Sequence, residues 1–81
     1  MTDNNMISIT IKLFADLTQF GPGKADEKLP EGSSINTIFE KYNIPKEKKT
    51  IIIVNSKPHY NRNSILKDGD TIAIFPPLAG G

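Results

Sequence analysis

Ile7, Ile9, Ile11 and Leu13 alternate with Ser8, Thr10 and Lys12, and this period of two in β-branched residues predicts a strand with one buried face. Residues 16–24 contain Gly21-Pro22-Gly23 and predict a loop; Ala25 to Leu29 predict a weak returning strand, so the pair reads as a hairpin with a long loop. The spacing then changes. Ile35, Ile38, Phe39 and Tyr42 fall on one face of a helix, with Ser33 or Ser34 placed to cap its first turn. Asn43 suits a left-handed residue just past the helix, and Pro45 prevents its continuation. A helix of only about eight residues does not stand alone in water, so it must lie on a sheet.

Thr50 to Asn55 predict another strand, apolar on both faces, with Ile51 and Ile53 pointing one way and Ile52 and Val54 the other. Asn55 to Pro58 form a turn, and 58–67 read as irregular with a possible short strand, Ile65 and Leu66 serving as core plugs. Asp68-Gly69-Asp70 is a tight turn, with both aspartates as turn residues, and it leads to a last strand, Thr71 to Phe75, with Ile72 and Ile74 on one face. The expected class is α+β: a mixed sheet of four to five strands with one main helix on one face.

Eighty-one residues make one domain, and a chain of this length buries only about 60% of its extended surface. The absence of cysteine excludes disulfides, iron–sulfur clusters, thiolate zinc sites and a cysteine nucleophile. Ten basic against nine acidic residues give a net charge of +1 and no field to recruit nucleic acid or an anionic membrane. Lys41, Lys46, Lys48 and Lys49 cluster mildly, without the interleaved aromatics of a stacking platform, and read as a solvated rim around a helix end. His59, the only histidine, reads as a surface turn residue rather than a metal ligand. The opening Met-Thr-Asp-Asn-Asn is not a basic-then-apolar signal, and no apolar run approaches the length of a membrane span; a cytoplasmic protein is expected. No pair or triad suited to general acid–base catalysis appears, so the domain is not expected to act as an enzyme alone.

The candidate chemistry lies at the end of the chain. Pro76-Pro77 cannot extend a sheet and favour an extended exit. Leu78-Ala79 follow, and Gly80-Gly81 leave no side chain near the terminal carboxylate. Six extended residues reach at most about 20 Å, enough to enter another protein's active site. A carboxylate is a poor electrophile until adenylation gives it a leaving group, and glycine offers an acyl carbon without a hindering Cβ. A sulfur nucleophile would then leave a thiocarboxylate; a lysine amine would leave an isopeptide bond.

The element order is that of the ubiquitin-like β-grasp fold, and from Ile7 to Gly81 the sequence resembles the MoaD/ThiS family of sulfur carriers. The resemblance rests on Lys12-Leu13-Phe14-Ala15-Asp16-Leu17, Leu29-Pro30-Glu31-Gly32-Ser33-Ser34, Ile53-Val54-Asn55, Leu66-Lys67-Asp68-Gly69-Asp70 and the ending Ile74-Phe75-Pro76-Pro77-Leu78-Ala79-Gly80-Gly81. That ending is more similar to the molybdopterin-synthase small subunit than to the thiamine-pathway carrier. Thr18-Gln19 stand where many relatives carry Arg-Glu, and Ser56 where a Val-Asn-Gly turn is usual.

The expected organisation is a flexible N-terminus over 1–6, a β-grasp domain over 7–76 and an extended flexible tail over 77–81 ending in Gly-Gly. The resemblance implies that Gly81, with Gly80, is the reactive end, loaded by an ATP-using adenylating enzyme and a sulfur-donor enzyme. The sulfur would be delivered with a larger molybdopterin-synthase-type subunit in molybdenum or tungsten cofactor biosynthesis. No resident cofactor or metal is expected; ATP belongs to the activating partner. The alternatives are a carrier for thiamine, tRNA or amino-acid sulfur, a ubiquitin-like modifier of lysines, and a β-grasp interaction module with an inert tail.

In such a sheet the last strand lies between the first and third. The helix is expected to cover the face bearing Ile9, Ile11, Ile53, Ile72 and Ile74, leaving Ile52, Val54, Ala73 and Phe75 as an open apolar patch continuing into Pro76, Pro77, Leu78 and Ala79. Phe75, Ile52, Val54 and Leu78 are the expected anchors for both partners. The competing expectation is that residues 15–24 or 58–67 fold over this face.

Overall fold

A computed structural model describes residues 5–77. The elements are strands β1 (Met6–Leu13) and β2 (Lys24–Pro30), helix α1 (Ile35–Lys41), and strands β3 (Ile51–Val54), β4 (Lys57–His59) and β5 (Thr71–Phe75), with a 3-10 turn, Ala15–Gln19, between the first two strands. They form one mixed sheet in the order β2-β1-β5-β3-β4, in which only β1 and β5 run parallel. With α1, this is the ubiquitin-like β-grasp arrangement expected from the sequence.

The alternation in β1 is realised in full: Ile7, Ile9, Ile11 and Leu13 are buried. Ile35, Ile38, Phe39 and Tyr42 of the helical face pack on the same side of the sheet, together with Ile72 and Ile74 of β5. Each such side chain contributes about 1.5–3 kcal/mol by burial, which is what holds a seven-residue helix that propensity alone would not. The N–H of Ser34, the N-cap, donates to Thr37 Oγ1 at 3.0 Å. At the other end Asn43 takes φ 58°, its N–H donates to the Glu40 carbonyl at 3.2 Å and that of Ile44 to the Phe39 carbonyl at 2.9 Å. This is the Schellman pattern, closed by the buried pair Ile44 and Phe39.

One expectation is overturned in β3. Ile52 and Val54 lie opposite Ile74 and Ile72, so they share the face beneath the helix and are buried at 5% and 6% exposure. Ile51 and Ile53, opposite Phe75 and Ala73, share the open face. Four consecutive apolar residues carry no phase of their own, and a register displaced by one residue exchanges the two faces. Ile65 is also corrected: it is 59% exposed, whereas its neighbour Leu66 is buried at 3%.

The segment 57–59 is an edge strand, joined to β3 by a two-residue turn at Asn55 and Ser56. Pro58 is tolerated there because an edge strand leaves one side unpaired. Neither 15–24 nor 58–67 closes over the open face. The 3-10 turn sends Leu17 into the core at 0% exposure. Asp68 and Asp70 serve the turn before β5: Asp68 Oδ1 accepts the Ser8 N–H at 2.7 Å, and Asp70 accepts from Asn55 Nδ2 and the Lys67 N–H, both at 2.8 Å. Among the described residues no helix is long and apolar enough to cross a membrane.

Candidate functional site

Where β5 leaves the sheet, an open groove of about 530 Å³ is lined by Phe14, Ala15, Ile51, Ile53, Phe75, Pro76 and Pro77. Its walls come from three parts of the chain. β3 places Ile51 beside Phe75 by strand register. The Phe14 N–H continues the parallel ladder by donating to the Ile74 carbonyl at 3.2 Å, and the Phe14 ring stacks on that of Phe75. Ala15 then reverses the chain at φ 57°, a left-handed conformation costly for a residue with a Cβ. The turn is held by the Leu17 N–H donating to the Phe14 carbonyl at 3.1 Å and by Thr18 Oγ1 donating to the Ala15 carbonyl at 2.8 Å. Strain of this kind persists where surroundings over-determine it, and here it fixes one wall of the groove.

Of the residues expected on the open face, Ala73, Phe75, Pro76 and Pro77 are placed there and Ile52 and Val54 are not. Leu78, Ala79, Gly80 and Gly81 lie outside the described residues. Phe14, Ala15, Ile51 and Ile53 are the additions. Only Phe14 left a signal, since an apolar residue directly after Leu13 breaks the alternation and must face the other way.

The lining side chains include no nucleophile, acid or base, so the groove offers contact and not chemistry. Ile51 and Phe14 are 40% and 38% exposed, a concentration of apolar surface at the point where the chain departs toward Gly81. On the helix-bearing side the lysines expected to form a solvated rim are partly paired: Lys41 with Glu27 at 3.6 Å, Lys46 with Glu40 at 3.3 Å and Lys48 with Asp16 at 4.0 Å. His59 is half-buried on β4 opposite Ile52 rather than on a turn. Among the described residues no three His, Cys, Asp or Glu side chains gather as a metal site.

The sequence matches the ThiS family over residues 11–81. The chain belongs to the ThiS family. Solved structures agree with the placement. A molybdopterin converting factor subunit 1 candidate from Pyrococcus furiosus is 28% identical with a TM-score of 0.69, covering 89% of this chain and 99% of that one. Small archaeal modifier protein 1 from Methanosarcina acetivorans is 25% identical with a TM-score of 0.64, covering 94% and 98%. The complex of subunits 1 and 2 of the molybdopterin-converting factor from Helicobacter pylori contains a chain 22% identical, with a TM-score of 0.64 and coverage of 93% and 100%, a likeness of fold. No curated protein matches the sequence. The ThiS-family match runs from the middle of β1 through the groove residues to Gly81, so groove and tail fall within one family unit.

Proposed function

We propose that this ThiS-family chain is a sulfur carrier whose groove docks an activating enzyme while its tail delivers Gly81 to that enzyme's active site. The observation that carries this reading is the continuity of the apolar groove with Pro76-Pro77, where the chain leaves the central strand of the sheet for a Gly-Gly end. A contact surface without reactive groups, placed at the root of a segment without bulky side chains at its end, suits a substrate protein handled by others.

In this role the Gly81 carboxylate attacks the α-phosphorus of ATP within the adenylating enzyme and pyrophosphate leaves. Hydrosulfide released by a donor enzyme then attacks the acyl carbon, AMP departs as the C–O bond to phosphate breaks, and a thiocarboxylate remains. The finer assignment is the small subunit of a molybdopterin synthase, acting with a larger subunit. It is supported by the Pyrococcus furiosus likeness and by the two-subunit assembly of the Helicobacter pylori fold relative.

A second reading, a ubiquitin-like modifier of lysines, is supported by the likeness to small archaeal modifier protein 1. Intact-mass spectrometry of the chain produced beside its adenylating enzyme and sulfur donor separates the two. The carrier yields a form with one terminal oxygen replaced by sulfur, whereas a modifier yields higher-mass conjugates that disappear when Gly81 is deleted. Absence of the sulfur form with several activating partners overturns the carrier reading.

A further inference from the structure

The strand registers align one row of residues across the open face: Lys24 on β2, Lys12 on β1, Ala73 on β5, Ile53 on β3 and Pro58 on β4. Residues paired in this way project from the same face of the sheet. The row changes character at Ala73. On one side lies the apolar groove; on the other, two lysines stand directly opposite each other, an arrangement that costs sheet stability. Lys28 lies farther along β2 on the same face.

Among the described residues none of these lysines is held in an ion pair. Asp26, between Lys24 and Lys28 on β2, accepts the Thr10 hydroxyl at 2.9 Å. Among the described residues no carboxylate lies within 4.0 Å of the Lys12, Lys24 or Lys28 ammonium, in contrast to Lys41, Lys46 and Lys48 on the other side. Two directly opposed lysines without an ion-pair partner, beside an open apolar groove, are a local conflict of the kind that marks a contact surface.

We infer that the occupant of the groove is an acidic, apolar protein surface, with a carboxylate seated over Lys12 and Lys24 when its apolar anchor sits over Ile53 and Phe75. Two strand spacings separate β3 from β1, so carboxylate and anchor lie about 10 Å apart on the partner. A nucleic-acid backbone would satisfy the lysines and leave Phe75 and Ile51 facing phosphate, which disfavours it. The identification of this occupant as the adenylating enzyme rests on the carrier reading. The strip then gives orientation as well as attraction, because matching one charged end and one apolar end fixes which way the carrier lies on the enzyme.

The test is steady-state adenylation of the wild-type chain and its variants by the cognate adenylating enzyme with ATP. Lys12→Glu/Lys24→Glu should raise KM for the carrier about tenfold or more at ~0.01 M salt with kcat unchanged, and the difference should close toward ~1 M salt as the Debye length falls from about 30 Å to about 3 Å. Lys12→Gln/Lys24→Gln should fall between that variant and the wild type. Lys24→Glu alone should raise Tm of the free chain, by replacing a like-charge pair with an opposite one, while raising KM; a variant that merely unfolds lowers Tm instead. Lys49→Glu/Lys67→Glu, with the same change in net charge elsewhere, should leave KM within about twofold.

An unchanged KM in the charge-reversed strip, or an equal rise in the control, overturns the inference and leaves the carrier reading intact, since wild-type turnover is present. So does competition of a single-stranded oligonucleotide with the enzyme for wild-type carrier. No adenylation of the wild type overturns both.

Discussion

Phe14 and Phe75 stack with ring centroids 4.2 Å apart and planes 11° from parallel, joining the residue that follows the first strand to the last residue of the fifth. The contact makes the root of the tail part of the folded body. Stacked pairs contribute about 0.5–1.5 kcal/mol beyond the area they bury, so Phe14→Ala should destabilise the chain by about 1–2 kcal/mol in chemical denaturation. Phe75→Ser should remain folded and soluble yet lose most of its adenylation kcat/KM. A folded Phe75→Ser chain that binds and is activated as the wild type would remove the groove from the proposed function.

The β3–β4 turn contains a second testable strain. Asn55 and Ser56 take φ 51° and 72°, the two positive values that a two-residue type I′ turn demands. Asparagine adopts this conformation at lower cost than serine. Ser56→Gly should therefore stabilise the chain by about 1 kcal/mol, the left-handed penalty less the entropy glycine adds to the unfolded state. For a domain of this size that is a rise in Tm of about 4–8 °C. The turn lies at the end of β3 away from the groove, so activation kinetics should not move.

The same turn shows where sequence patterns inform and where they stop. The first strand was legible because Ile7 to Leu13 alternate with polar residues, and the helix because Ile35, Ile38, Phe39 and Tyr42 recur with its period. Asn43 and Gly69 were legible because their positive φ values suit few other residues. Ile51 to Val54 were legible as a strand but not in phase, since all four are apolar; register with β5 assigns their faces, and that is a long-range fact. Ile65 and Leu66 pose the same ambiguity on a smaller scale. The Leu66 N–H donates to the Ser33 carbonyl at 2.8 Å and its side chain turns inward, which sends Ile65 out. The groove was thus half visible: Phe75, Pro76 and Pro77 by position, Ile51 and Ile53 only through pairing.

Tyr42 supplies a pH-dependent prediction. Its hydroxyl donates to Glu27 Oε2 at 2.8 Å, and the ring lies so close to Gly21 that a Cβ there would come within 3.1 Å of it. Burial first, then the hydrogen bond and negative charge of Glu27, hold the phenol well above its ordinary value of 10.0. Once pH passes about 10, tyrosine in the unfolded chain releases its proton while native Tyr42 keeps it, so the unfolded state binds fewer protons and stability falls with rising pH. The contribution is complete below about pH 10 and is lost above it. Tyr42→Phe should cost about 1–2 kcal/mol at neutral pH, and the gap to wild type should narrow above pH ~10 in denaturation curves. A gap that stays constant through that range would show that the phenol is not held in this way.

Arg62 allows stability and docking to be separated. Its Nη1 donates to the Lys46 carbonyl at 2.7 Å, and its Nη2 to the Lys48 carbonyl at 3.0 Å and Thr50 Oγ1 at 3.1 Å, while the guanidinium lies 4.2 Å over the Phe39 ring. No acidic partner is needed; a planar fork of donors satisfies the carbonyls of the segment between α1 and β3 and caps the helix face at once. Lysine has one point of charge and no fork, so Arg62→Lys should destabilise the chain by about 2 kcal/mol. The clamp acts on backbone preceding Ile51 and not on the groove's side chains. Below its unfolding transition the variant should therefore keep adenylation kcat/KM within about twofold. A larger loss of kcat/KM in a chain still folded would mean that the position of residues 46–50 sets the shape of the groove, making Arg62 a positioning residue for docking as well as a clamp on the core.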